Sequence, residues 1–127
     1  MAWFNAPLPQ ADHTLRAVHT AVELKRAIQS LHDELPMEAR LSFGMGIHTG
    51  EAVLGWIGTE KRLEYTAIGD SVNIARRIQE NASPGQILIS QAACERIKGF
   101  VELSPYAPMK VKGRIEPLEV WEVLGVM

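Results

Sequence analysis

The segment spanning residues 65–77 restricts the fold of this 127-residue chain more than any other. It reads as a strand, a tight turn at Gly69 and Asp70, and then a helix. Asn73 and Arg77 are four residues apart, so they share one face of that helix. Both lie in its first turns, where the positive end of the helix dipole favours anions. An amide that can orient a sugar, beside a cation that can hold phosphate oxygens, predicts a nucleotide site.

Periodicity along the rest of the chain predicts alternating helices and strands. Asp12 is a plausible N-cap, whose carboxylate can accept from backbone N–H groups, for an amphipathic helix of about six turns that Pro36 ends. Ser90 is predicted to cap another helix, which ends near Lys98 and Gly99. The other predicted elements are a helix over 71–81, strands over 41–47, 52–57, 65–68, 86–89, 100–103, 109–111 and 118–124, the end of a strand over 1–4, and a polar loop over 58–63.

The strand predicted over 41–47 has one apolar face and one face that is almost bare. Gly44 and Gly46 leave room for another backbone or a ligand to approach closely. His48, which follows, has no metal-ligand set at suitable spacing around it, so it is predicted to be structural. Elements in this mixed order predict an α+β sheet with helices on one face.

Composition limits the classes of function. The length fits one domain over residues 1–127, and a net charge of −2 gives no broad attraction to nucleic acid or membranes. The single Cys94 excludes an internal disulfide framework and fits a reducing compartment, where it would act as a small buried hydrophobe. No apolar run approaches the roughly 20 residues of a membrane span, and no signal peptide is present. A cytoplasmic domain is therefore expected.

The pattern V-N-x-A-x-R over residues 72–77 resembles the signature of the class III nucleotide cyclases, the adenylate and guanylate cyclases. Several separate motifs in the same order strengthen this resemblance, which covers nearly the whole chain. Residues 1–10 are similar to the strand and loop after the family's second metal-binding aspartate, 46–53 to its central hairpin, 84–90 to the strand after the signature helix, and 111–113 to its V-K-G motif.

The resemblance implies a partial ferredoxin-like sheet of the βαββαβ type with extra C-terminal strands. The family's opening strand and both metal-binding aspartates lie upstream of the position that matches Met1. The chain therefore resembles the C-terminal two thirds of a cyclase domain, with the opening strand absent. Of its own three aspartates, Asp12 and Asp33 lie on the first predicted helix and at its end, without the strand or hairpin context of that metal site, and the third is Asp70. We expect no metal ligand here, and Mg²⁺ or Mn²⁺ in the parent enzyme on ligands outside this chain.

The same resemblance assigns roles to four residues. Asn73 would orient the ribose and Arg77 would stabilise the transition state, both acting on a nucleotide held with a partner subunit. Thr66 occupies the position that reads the purine edge, and a threonine there resembles the bacterial adenylate cyclase subtype. Lys112 would bind phosphate. The plain alternatives stay open: a solvent-facing polar pair, an ordinary strand threonine and a solvated edge-strand lysine. Asp70 fits an N-cap better than a metal ligand.

The expected activity is conversion of ATP to 3′,5′-cyclic AMP and pyrophosphate at a dimer interface, assisted by two metal ions. This chain would supply the half of the site that binds the ribose and phosphates and stabilises the transition state, and it would be inactive alone. The missing strand should leave a sheet edge unpaired and promote self-association. One alternative is a non-catalytic cyclase-like module that binds nucleotide or a partner subunit. Another is a guanylate cyclase, although guanine readers in this family usually carry Glu and Cys at the purine positions.

Overall fold

The computed structural model describes residues 1–6, 8–40, 43–111 and 113–126. These residues form three α-helices: α1 (His13–Glu34), α2 (Asp70–Asn81) and α3 (Gln91–Ile97). A single 3₁₀ turn, Met37–Ala39, follows α1. The strands are β1 (Met45–Ile47), β2 (Val53–Thr59), β3 (Arg62–Ile68), β4 (Ile87–Ser90), β5 (Val101–Met109) and β6 (Leu118–Val126).

Four of these strands form a mixed sheet in the order β1-β4-β6-β5. β1 runs parallel to β4, whereas β6 pairs antiparallel with both β4 and β5. β2 and β3 form a second, antiparallel unit, called the ribbon below, whose strands are joined through Glu60 and Lys61. The predicted α+β class is confirmed.

The helices lie on both faces of the four-stranded sheet rather than on one. Side chains of α1 and α3 pack against Ile87 and Ile89 on one face. Ile74 and Ile78 of α2 pack with Leu88, which points to the opposite face because side chains alternate along a strand. β4 is buried along its whole length for this reason. A strand covered on both faces reads as a continuous apolar run, which does not reveal how the helices divide.

The predicted bare face of the first strand receives α2. A side chain at Gly46 would collide with the backbone nitrogen of Gln79, and one at Gly44 would lie 2.5 Å from Cβ of Ala82. These glycines therefore let the helix backbone approach the strand directly. The strand itself is shorter than predicted, since β1 covers only Met45–Ile47. The first part of the predicted strand, positions 41 and 42, lies outside the described residues.

The hairpin expected over residues 46–53 does not form. β2 pairs with β3 along seven residue pairs, from Val53 with Ile68 to Thr59 with Arg62. The sequence interpretation of residues 58–63 as a loop was wrong because this end of the ribbon is exposed and strongly polar, which hides the strand pattern.

Three smaller predictions also differ from the structure. Residues 1–4 form no strand. Asp12 occupies the N-cap position of α1, but its carboxylate accepts from Nε of Arg16 at 2.7 Å instead of capping the backbone. The separate strands predicted over 100–103 and 109–111 are one strand, β5, which tolerates Pro105 and Pro108 because it lies at the sheet edge. A register shift accompanies the second proline.

Several local predictions are confirmed. α2 begins one residue before the predicted position and ends where expected, although Gly69, not Asp70, is its N-cap. Ser90 caps α3 by accepting from the Ala93 N–H at 3.2 Å. Cys94 is buried, and burial raises the pKa of its thiol. In the described part of the chain, every helix is too short or too polar to cross a membrane.

Candidate active site

The site is built around the outer face of α2. Ile74 and Ile78 anchor the helix to the sheet, and this burial fixes which face of the helix is left outside. Asn73 and Arg77 lie on that exposed side, one helical turn apart. The helix starts directly after β3, through a sharp turn at Gly69 with φ of +136°, a conformation that favours glycine. The polar pair thus stands on a rigid element.

Arg77 keeps its guanidinium accessible, with its side chain 44% exposed. Its nearest acidic neighbour is Glu80, at 3.9 Å one turn away, which is a loose and solvent-screened contact. The backbone carbonyl of Arg77 accepts from Nδ2 of Asn81 at 2.9 Å. The side chain is therefore free to turn toward an anion.

A cleft of about 420 Å³ opens beside Arg77, between the end of α2 and the end of β5. Arg77 and Lys110 contribute two cationic side chains to its wall, and Tyr106 contributes a phenolic hydroxyl. The cleft is lined by Arg77, Asn81, Tyr106, Ala107, Pro108, Met109 and Lys110. Two cations and several hydrogen-bonding groups suit a polyanion such as a phosphate chain.

Sequence reasoning found Arg77 but missed the other polar members of this cleft. Asn81 was available as a signal, because it stands one turn after Arg77 on the same helix. Tyr106 and Lys110 carried no such signal, because their approach to α2 depends on how the C-terminal strands pack. Lys112, which the sequence predicts to bind phosphate, lies outside the described residues.

Thr66 lies on the ribbon, directly opposite Gly55 on β2. Residues opposite each other on antiparallel strands share a face, so Thr66 has a neighbour without a side chain. A side chain added at Gly55 would meet nothing within 4 Å. Val53, Ile57 and Ile68 flank this gap on the same ribbon face and are all exposed. Beside this open position, the hydroxyl of the half-buried Thr66 can hydrogen-bond the edge of a flat heterocycle.

The structure does not gather the four predicted residues into one closed pocket. Arg77 lines the cleft, whereas Asn73 stands earlier on the helix and Thr66 lies on the ribbon. β3 leads directly into α2 through the turn at Gly69, so Thr66, Asn73 and Arg77 are carried by two consecutive elements and lie open to solvent in part. Such an open arrangement can bind one side of a ligand and leaves the other side accessible.

His48 forms a second polar feature at the end of β1. Its Nδ1 lies 2.8 Å from Oγ of Ser90, a fully buried residue 42 positions further along the chain. Burial lowers the pKa of His48, the charge of Arg114 lowers it further, and Asp70 acts in the opposite direction. The contact supports the predicted structural role of this histidine. Its partner could not be identified from the sequence, because it depends on the pairing of β1 with β4.

The residues present do not fit a catalytic metal site. In the portion of the chain with described positions, no three His, Cys, Asp or Glu side chains come together as a metal would require. Asp12 is committed to Arg16, and Asp70 stands in the first turn of α2, where a carboxylate complements the helix dipole.

The family model and the curated relatives that match this chain are all nucleotide cyclases. The family described as the Adenylate and Guanylate cyclase catalytic domain matches residues 1–124. Adenylate cyclase 1 of Rhizobium meliloti is 37% identical over 99% of this chain, which corresponds to 20% of that protein. The adenylate cyclase of Anabaena cylindrica is 32% identical over 84% of this chain and 24% of its own length. The chain thus spans about a quarter or less of these relatives.

Solved structures of cyclases share the fold. The guanylyl cyclase Cya2 superposes with a TM-score of 0.89 at 36% identity, covering 98% of this chain and 64% of that chain. The adenylyl cyclase CyaB from P. aeruginosa superposes with a TM-score of 0.86 at 26% identity, over 95% of this chain and 64% of its own.

Proposed function

Because the chain belongs to the adenylate and guanylate cyclase catalytic domain family, we propose that it forms part of an adenylate cyclase that converts ATP to 3′,5′-cyclic AMP and pyrophosphate. The observation that carries this proposal is the exposed pair Asn73 and Arg77, on a helix that is anchored to the sheet and continuous with the strand of Thr66. The similarity to adenylate cyclases of two bacteria supports the choice of ATP.

In the proposed reaction the 3′-hydroxyl oxygen of the ribose attacks the α-phosphorus and gives up its proton to water. The bond between the α-phosphorus and the bridging oxygen of the leaving pyrophosphate breaks. Such in-line transfer depends on positioning and on neutralisation of developing charge. Asn73 hydrogen-bonds the ribose and orients it, while Arg77 donates to the phosphate oxygens as their charge redistributes. Lys110 and Tyr106 line the same cleft as Arg77, and we propose that they bind the leaving phosphates. Lys112 is proposed to bind phosphate, as the family motif implies.

Thr66 is proposed to read the purine. Its hydroxyl can donate to or accept from the adenine edge, and the gap over Gly55 leaves room for the ring. A guanylate cyclase is the second candidate, because the guanylyl cyclase Cya2 is 36% identical to this chain. The relative rates with ATP and GTP decide between them.

We propose that this chain contributes one half of a composite site and is inactive alone. Mg²⁺ or Mn²⁺ would be held by groups that this chain does not supply, since Asp12 is paired with Arg16 and Asp70 lies in the first turn of α2. A second subunit would then close the open surface of α2 and the ribbon. Among the strands described, β1 and β5 are the two edges of the four-stranded sheet, and an unpaired edge of this kind supports a homodimer or self-association through the sheet edge. We propose a cytoplasmic location, which the presence of a single cysteine, the buried Cys94, suits.

The test is a mixing experiment with ATP and Mn²⁺. This chain is assayed alone and with a related cyclase domain that keeps its metal-binding aspartates but lacks its own signature asparagine and arginine. We expect no cyclic AMP from either protein alone and clear production from the mixture. Activity of this chain alone would contradict the proposed absence of metal ligands. An inactive mixture with intact association would favour a non-catalytic binding module.

Within the active mixture, Arg77→Ala should lower turnover by about 100- to 1,000-fold, with little change in KM, because its contact strengthens in the transition state. Arg76→Ala is the matched control, since it removes an exposed arginine from the adjacent position of the same helix. Equal effects of the two substitutions would remove the specific role from Arg77.

A further inference from the structure

His48 stands where three elements of the fold meet. It follows the last residue of β1, and Ile47 at that strand end pairs with Ile89 of the parallel strand β4. His48 and Ser90 are therefore neighbours at the carboxyl ends of two adjacent strands. Ser90 also starts α3, so the contact between these two side chains joins the sheet to a helix.

The hydrogen bonds of Ser90 favour one protonation state of the imidazole. Ser90 is fully buried, and its Oγ already accepts from the backbone N–H of Ala93. The hydroxyl proton needs an acceptor, because buried polar groups are almost always paired. Nδ1 of His48, at 2.8 Å, serves as that acceptor when it carries no proton. The proton of a neutral imidazole is then on Nε2.

The Nε2 side of the ring faces the start of α2. A side chain at Gly50 would lie 3.1 Å from Nε2 of His48 and would also collide with Oγ of Ser71. The imidazole and the first turn of α2 thus flank the same glycine. Asp70 and Arg114 are the charged groups that act on the ring. Ser71, beside the same Gly50, lies two residues before Asn73 in the same helix.

We propose that His48 is a positioning residue, which as a neutral imidazole links the buried Ser90 to the first turn of α2 and so fixes the placement of Asn73. The inference rests on the proposed function for its consequence in catalysis, but its structural content is independent of activity. His48 contacts no substrate in this proposal. It acts by holding the turn at Gly50 and Ser71 in place.

Two substitutions separate the two sides of the ring. His48→Asn keeps a hydrogen-bonding group near the Nδ1 position, facing Ser90, and removes the part that faces α2. His48→Gln places its amide near the Nε2 position instead. His19→Asn is the matched control, because His19 is an exposed histidine on α1. In the active mixture we expect His48→Asn to lower kcat by about tenfold to 100-fold with KM for ATP within about twofold, and His48→Gln to recover part of that loss.

A second readout uses the isolated chain and needs no turnover. With ¹⁵N-labelled histidine at neutral pH, Nε2 should show the shift of a protonated nitrogen and Nδ1 that of an unprotonated one. Backbone amide resonances of residues 70–73 should move in His48→Asn and stay in place in His19→Asn. A proton on Nδ1, or unmoved resonances at the start of α2, would overturn the proposal. If the wild-type mixture is inactive, the proposed function fails while these resonances still decide the role of His48.

Discussion

Strand β4 and the ribbon are both rich in apolar residues, yet their surroundings are opposite. All four residues of β4 are buried between α2 on one face and α1 with α3 on the other. The ribbon has no buried position, and Trp56 on it is 69% exposed. Its aromatic contacts are Trp56 with Tyr65, at 5.4 Å between ring centroids, and Trp3 with Tyr65, at 6.3 Å.

This difference in burial shows that one region stabilises the fold, whereas the other region offers an exposed surface for binding. The sheet around β4 supplies the packed core, and it carries α2 with Asn73 and Arg77. The ribbon carries Thr66 and an apolar surface of the kind that usually marks a contact with another protein or segment. We infer that the proposed nucleotide site has a stable part, α2 on the sheet, and an exposed part, the ribbon, which a partner completes.

The largest expected effect comes from a pair of identical substitutions, one in each region. Leu88→Ala empties a fully buried position under α2 and should reduce the free energy of unfolding by about 2–5 kcal/mol. Leu63→Ala removes the same atoms from the exposed ribbon and should change it by about 0.5 kcal/mol or less. Urea denaturation of both variants tests the contrast. Comparable losses would mean that the ribbon is part of the core.

The second prediction concerns what the ribbon contacts. Trp56→Ala should weaken self-association, or association with the complementing domain, by about fivefold or more, because truncated interface tryptophans commonly cost over 1 kcal/mol. The same substitution should lower the free energy of unfolding by about 0.5–1.5 kcal/mol, the contribution of one aromatic pair. Sedimentation over a concentration series measures the association. Phe100→Ala, which removes an exposed aromatic outside the ribbon, should leave it unchanged.

The same contrast shows which features the sequence could predict. α2 was located to within one residue because Ile74 and Ile78 recur at helical spacing after a glycine turn. The bare strand face was also predicted correctly, because glycines at every second position of a strand indicate close approach by a neighbouring backbone or ligand. The ends of the ribbon were missed because exposed strands lose the apolar alternation on which such predictions depend.

Features that depend on distant contacts could not be predicted. The contact of His48 with Ser90 requires knowing that β1 pairs with β4, and the cleft at Arg77 requires the position of β5. The division of helices between two faces has the same origin, since β4 reads as a plain apolar run. Local chemistry was thus available from the sequence, whereas the neighbours of each group were not.

The third prediction tests whether the ribbon reads the base. Thr66→Ala should reduce the preference for ATP over GTP in the active mixture by about two- to tenfold, because one neutral hydrogen bond contributes about 0.5–1.5 kcal/mol. Thr59→Ala is the control, as it removes an exposed threonine from the far end of the same ribbon. Competition between the two nucleotides gives the ratio of kcat/KM directly. An unchanged ratio in Thr66→Ala would leave Thr66 as an ordinary strand residue.

The smallest expected effect is a pH dependence located in the stable half. Burial lowers the pKa of His48 in the folded chain, so the unfolded chain takes up a proton first as the pH falls. The contribution of His48 to the free energy of unfolding should therefore be constant above its ordinary pKa of about 6.5. It should decrease as the pH falls from that value through the lowered pKa of the folded chain.

Denaturation between pH 7.5 and about 5 measures this slope, and His48→Asn should remove part of it. Asp12 does not interfere, because its side-chain hydrogen bond with Arg16 lowers its pKa from a value that already lies below this window. An identical pH dependence in wild type and His48→Asn would show that the contact with Ser90 tolerates a charged ring. The link from the sheet to α2 would then not depend on a neutral imidazole.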